Sequence, residues 1–65
     1  MKVIKTSAVL KALFADGWYI DRQKGSHRQL KHPTKSGTVT VNGKPSSDMY
    51  GSELRSVQNQ SGLEF

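Results

Sequence analysis

The sequence predicts a two-layer α+β domain: a helix, a three-stranded antiparallel meander and a second helix, with both helices on one sheet face. Three observations carry this expectation. Apolar residues recur at helical spacing from Thr6 to Asp16 and again beyond Gly51. Between them lie three short stretches that alternate or are rich in β-branched residues, parted by clusters of Gly, Pro and Ser. The chain has 65 residues, 34% of them hydrophobic. At that size folding hides only about 60% of the unfolded surface, so all elements must share one thin core. Residues 1–65 are accordingly read as a single domain.

Each element has its own signal. Val9, Leu10, Leu13 and Phe14 form the apolar stripe of the first helix, with Lys11 and Asp16 off it. Thr6 or Ser7 offers a hydroxyl to cap its start, and Gly17 stands where a left-handed residue would end it. Trp18 to Arg22 alternates, with Trp18 and Ile20 on one face and Tyr19 and Asp21 on the other. Gln23 to Ser26 is a loop in which Gly25 can take a positive φ. His27 to His32 is the second strand, with Arg28, Leu30 and His32 facing one way and His27, Gln29 and Lys31 the other. Pro33 to Gly37 is a turn, and Thr38 to Val41 is a β-branched strand. Asn42 to Met49 reads as a loop. The second helix runs from Gly51 or Ser52 to Gln60, with Leu54 and Val57 inward and Ser61-Gly62 as its stop; Leu63 folds back over that end as in a Schellman turn.

Composition narrows the function. There is no cysteine, which excludes disulfide staples and thiolate metal sites. Apolar runs are only a few residues long, so no membrane span is expected, and the start Met1-Lys2-Val3-Ile4-Lys5 lacks the apolar stretch of a secretory signal. A cytoplasmic protein is the expectation. Ten Lys and Arg against five Asp and Glu give a net charge of +5. Arg22, Lys24, Arg28, Lys31, His32, Lys35 and Lys44 fall in or beside the strand region with no carboxylate among them, which favours a polyanionic partner. Most surface charges are merely solvated, yet a run this one-sided points to a phosphate-binding face.

His27 is the candidate for chemistry. It follows Gly25-Ser26 at the mouth of a strand, on the face opposite Leu30, with Lys24 and Arg28 near in sequence. An imidazole beside cations is suited to RNA cleavage, taking or giving a proton as the ribose 2′-OH attacks the adjacent phosphate. Cations then stabilise the charge that develops on phosphorus. Ser26 is read as a phosphate-contacting or hydrogen-bonding residue, and His32, next to Pro33, as structural. His27 and His32 lie on opposite strand faces with no further His or Cys, so no zinc site is expected. Tyr19 has the chemistry to stack a base, whereas Trp18 is better explained as core.

Asp16-Gly17-Trp18, Lys24-Gly25-Ser26-His27-Arg28-Gln29-Leu30-Lys31-His32-Pro33 and Gly37-Thr38-Val39-Thr40-Val41 closely resemble the HicA family of toxins. The closing Leu54-Arg55-Ser56-Val57 and Ser61-Gly62-Leu63 are similar to that family's second helix and its end. The resemblance implies a fold like the double-stranded-RNA-binding domain. It also implies a metal-independent mRNA interferase of a toxin–antitoxin pair, with no cofactor, whose catalytic His matches His27. Lys24, Arg28 and Lys31 would hold phosphates, with Arg22, Gly25, Ser26, Lys35 and Lys44 completing the RNA-binding set. A HicB-like antitoxin would cover the strand face around His27, and DNA would be met only through that complex. In place of the Pro that family members usually carry after the third strand, this chain has Asn42-Gly43-Lys44. Its second helix is also unusually polar at Gln58-Asn59-Gln60, which suggests a looser helix leaning on a partner. The alternative reading is a non-catalytic RNA-binding module of the same fold.

Overall fold

In the computed structural model, which describes residues 2–65, seven elements follow one another: β1 (Val3–Lys5), α1 (Thr6–Ala15), β2 (Tyr19–Lys24), β3 (His27–Lys31), β4 (Val39–Asn42), β5 (Asp48–Tyr50) and α2 (Gly51–Ser61). Strands β2, β3 and β4 form the expected antiparallel meander, and both helices contribute to one core against it. Val9, Leu10 and Leu13 come from α1, Leu54 and Val57 from α2, and Leu30, Val39 and Val41 from the sheet. Trp18 joins them at 2% exposure. Phe14, placed on the helical stripe by spacing, is turned outward at 47% exposure. The stripe is therefore narrower than the periodicity suggests. This is the two-layer arrangement of two helices on one sheet face, a small α+β fold of the double-stranded-RNA-binding type.

The loop expected from Asn42 to Met49 is broken at both ends. Asn42 completes β4, and Asp48–Tyr50 pairs antiparallel with Val3–Lys5 in a separate two-stranded sheet. Met49 plugs the core at 1% exposure, and Lys5 faces Asp48 across the pair with Nζ 2.8 Å from Oδ1. Three-residue strands are too short to show a period, so nothing in the pattern marks them.

The start of α1 is also organised differently from the expected hydroxyl cap. No side chain caps it. The carbonyls of Ser47 and Pro45 instead accept the N–H groups of Thr6 and Ser7, both at 2.9 Å, and the Thr6 hydroxyl bonds to Ser47. Orphan donors of the first turn are thus satisfied by a loop that lies 41 residues away at Ser47, which ties the two halves of the chain together. At the other end of the molecule Gly62 adopts a left-handed conformation and donates to the Gln58 carbonyl at 2.9 Å. The N–H of Leu63 goes to the Ser61 hydroxyl, so the cap is the simpler single-bond left-handed form and not a Schellman turn. The polar run at the end of α2 works internally: Gln60 Oε1 accepts from the N–H of Thr40 in β4, and Gln58 Oε1 from that of Phe65.

Candidate functional site

The open face of the meander is built by register. His27 pairs with Lys24 on one side and Asn42 on the other, and Gln29 pairs with Arg22 and Thr40. Strict alternation along β2 would place Arg22 and Lys24 with Ile20, on the core side. A bulge between Ile20 and Arg22 prevents this: Ile20 pairs with Leu30, Arg22 with Gln29, and Asp21 is the extra residue. One inserted residue reverses the parity of the strand, so both cations emerge beside His27. Arg22, Gln23, Lys24, His27 and Gln29 line an open depression of about 480 Å³.

The hairpin that carries His27 is tighter than the loop expected from Gln23 to Ser26. β2 continues to Lys24, leaving Gly25 and Ser26 as a two-residue turn. Gly25 has φ of +58°, and Ser26 has a negative φ, the pattern of a primed turn with glycine first. A Cβ at Gly25 would meet nothing within 4 Å among the described residues, so the role of this glycine is conformational. The turn is then bound to the end of β4: the Gly43 N–H donates to the Ser26 carbonyl at 3.1 Å.

Arg28 belongs to this frame and not to the open face. It is 6% exposed, on the side of Leu30. Its Nη1 donates to the carbonyls of Gly43 at 2.8 Å and Ser26 at 3.3 Å, clamping the two chain segments that flank the His27–Asn42 pair. The expectation that it lies among the surface cations is therefore corrected. The same alternation that exposes His27 buries its neighbour. Lys35 is also remote, since its Nζ reaches Asp16 Oδ2 at 2.6 Å and the Ser61 carbonyl at 3.3 Å, at the far end of the sheet. Lys31 shares the open face opposite Tyr19, about 13 Å along β3 from His27. Lys44 is exposed just beyond Gly43, next to the clamped turn.

The His27 ring is exposed, with Nδ1 2.8 Å from Asn42 Oδ1. An amide oxygen can only accept, so Nδ1 donates in this pair, and in the neutral ring the lone pair lies on Nε2. Nε2 has no partner among the described residues. Arg22 and Lys24 make no ion pair among those residues either, so their charge faces solvent at the same spot as the ring. Asn42 lies beyond the strand that composition predicts from Thr38 to Val41, because asparagine is a poor strand former. Only the register reveals it.

His32 has the opposite character. Its Nδ1 accepts from the N–H groups of Thr34 and Lys35, both at 3.1 Å, and its Nε2 donates to the Asp16 carbonyl at 2.6 Å. The ring meets Trp18 edge-on with centroids 5.2 Å apart. This is a structural histidine, as its place before Pro33 suggests. Asp16 accepts from Lys35 and from the Trp18 indole at 3.2 Å. The Lys35 hydrogen bond is the main reason its carboxyl is held below the ordinary value of 3.8, against a smaller opposing effect of burial. Among the described residues no helix is long and apolar enough to cross a membrane.

Comparison with curated proteins gives no significant match. A family model described as the HicA toxin of bacterial toxin–antitoxin systems matches residues 6–63, which span both helices, the meander and the Gly-Ser-His turn. An antitoxin partner follows from that membership. With nearly the whole chain covered, this protein belongs to the HicA family of toxins.

Proposed function

We propose that the chain is an endoribonuclease acting on mRNA, with His27 as its proton-transfer group, and that a HicB-like antitoxin restrains it by covering the open face of the meander. The observation that supports this best is the state of one ring. Nδ1 of His27 is engaged by Asn42, while Nε2 is unpartnered among the described residues, beside a cationic depression.

RNA supplies its own nucleophile, so little is asked of the protein. Nε2 of His27 takes the proton of the ribose 2′-OH as the 2′-oxygen bonds to phosphorus. The bond from phosphorus to the 5′-oxygen breaks, that oxygen takes a proton from water, and the hydroxide left behind takes the proton held on Nε2. The products are a 2′,3′-cyclic phosphate and a 5′-hydroxyl end. Arg22 and Lys24 stabilise the charge that builds on the phosphoryl oxygens. Lys31 and Lys44 lie where flanking phosphates would run, while Gly25 and Ser26 keep the turn slim enough for the backbone to approach. Every group this scheme uses belongs to the RNA, to the chain or to solvent, so the scheme calls for no cofactor.

The test is cleavage of single-stranded RNA by the purified chain with a chelator present, beside His27→Ala. Fragments with cyclic-phosphate ends are expected from the parent, and a loss of at least about 100-fold from the variant with RNA affinity retained. Cleavage by His27→Ala at the parental rate would sink the proposal. Salt-sensitive binding by the parent without fragments would favour the non-catalytic module. For the antitoxin, His27 should be protected from carbethoxylation in the complex, and a fully reactive ring there would overturn the occlusion.

A further inference from the structure

We infer that Asn42 is a positioning residue for His27, fixing the imidazole in the tautomer whose Nε2 is free to accept a proton. The inference rests on His27 being the proton-transfer group, and it names what makes that group competent.

Four observations converge. Asn42 and His27 are direct cross-strand partners, and their side chains meet at 2.8 Å on the open face. The acceptor is an amide oxygen, which assigns the proton to Nδ1. The residues on either side of the pair are fixed in turn. Ser26, before His27, and Gly43, after Asn42, are joined by a backbone hydrogen bond and bridged by the buried Arg28 guanidinium. The frame therefore fixes the separation of the two strands across which the side chains meet. Finally, His32 in the same chain makes the reverse pattern, with Nδ1 accepting and Nε2 donating. The tautomer is a property of each environment, and Asn42 supplies the one His27 needs.

An amide also has a chemical advantage over a carboxylate at this place. It orients the ring without adding a negative charge that would hold it protonated or repel the incoming phosphate.

The ring nitrogens can be read directly by 15N NMR on the labelled protein, above the pH at which imidazole titrates. The parent should show His27 protonated at Nδ1 and His32 at Nε2. Asn42→Ala should return His27 to the Nε2–H form favoured by an unconstrained histidine side chain, and lower cleavage about 10- to 100-fold, the usual cost of removing an orienting partner. Asn42→Asp keeps the acceptor, so it should keep the tautomer while moving the acid limb of the pH–rate profile to higher pH. This separates positioning from folding damage, because both variants alter the same side chain. A parental His27 protonated at Nε2, or an Asn42→Ala ring still protonated at Nδ1, overturns the inference. A parent with Nδ1–H that cuts no RNA sinks the ribonuclease reading instead, and leaves the His27–Asn42 pairing standing.

Discussion

His27 and His32 sit at the start of β3 and just past its end, and they divide the work of the imidazole between them. His32 spends both nitrogens inside the protein, holding the β3–β4 turn through Nδ1 and the end of α1 through Nε2. His27 spends one, on Asn42, and presents the other beside Arg22 and Lys24. Neither residue type nor proximity to cations separates the two, since Lys35 adjoins His32 as Lys24 adjoins His27. What separates them is how many ring nitrogens the fold consumes. A histidine with both nitrogens engaged is a staple, and one with a single orienting bond is available for chemistry.

Paired substitutions put the largest effects on opposite readouts. His27→Ala should lower RNA cleavage by about 10²- to 10⁴-fold, the usual share of a general acid–base group. Its unfolding free energy should stay within about 0.5 kcal/mol of the parent's, because the residue is exposed. His32→Ala should do the reverse, costing about 1–3 kcal/mol by leaving the Thr34 and Lys35 N–H groups and the Asp16 carbonyl without their partner. A domain this small has only about 3–5 kcal/mol to lose, so urea titration resolves the difference readily. Cleavage per folded molecule should be unchanged in His32→Ala. If the two variants exchange these phenotypes, the division of roles is wrong.

The same contrast shows what could be read from the sequence. The α+β class, the inward faces of both helices apart from Phe14, the opposite faces of β3 and the structural role of His32 all follow from local periods and from Pro33. His27 stood out because Gly25-Ser26-His27 is contiguous. Its partner was not legible, since Asn42 is 15 residues away and meets the ring only through strand register. The bulge at Asp21 is equally silent, because a single extra residue leaves no compositional mark and yet moves Arg22 and Lys24 to the other face. Arg28 shows the converse. Its alternation with Leu30 already placed it inward, but its charge drew it into the phosphate-binding set.

Arg22 and Arg28 sharpen the comparison at a smaller scale, one guanidinium on each side of the sheet. Arg28→Met should cost about 1.5–3 kcal/mol in urea titration, the scale of a hydrogen bond to a charged group, by freeing the Ser26 and Gly43 carbonyls. Once folded, it should retain the salt dependence of RNA binding. Arg22→Ala should leave stability nearly untouched and flatten the plot of log K against log salt by about one unit of slope, as expected for a lost phosphate contact. Measuring affinity at several salt concentrations separates the two. A reduced slope in Arg28→Met with an unchanged one in Arg22→Ala would move the phosphate site to the wrong face of the sheet.

The smallest effect belongs to the His32 end of the molecule, where Asp16 joins the staple. Its carboxylate accepts from Lys35 foremost and from the Trp18 indole, and these hold its ionisation below the ordinary 3.8. A carboxyl depressed in the folded state binds its proton more readily when unfolded. Stability therefore rises with pH across the interval between the two values and is fully present above the unfolded one. It is lost as pH falls below about 4 towards the folded value. The ion pair is partly exposed and salt screens it, so the contribution is modest. Asp16→Asn should flatten the acid limb of the stability profile below about pH 4 and leave cleavage near neutrality unchanged, since Asp16 lies at the opposite end of the sheet from His27. Urea titrations between about pH 2.5 and 6 would show this as a narrower gap between parent and variant at the acid end. A gap that widens on acidification would mean that Lys35 does not stabilise the ionised carboxyl, and that the His32 end is held by the imidazole bonds alone.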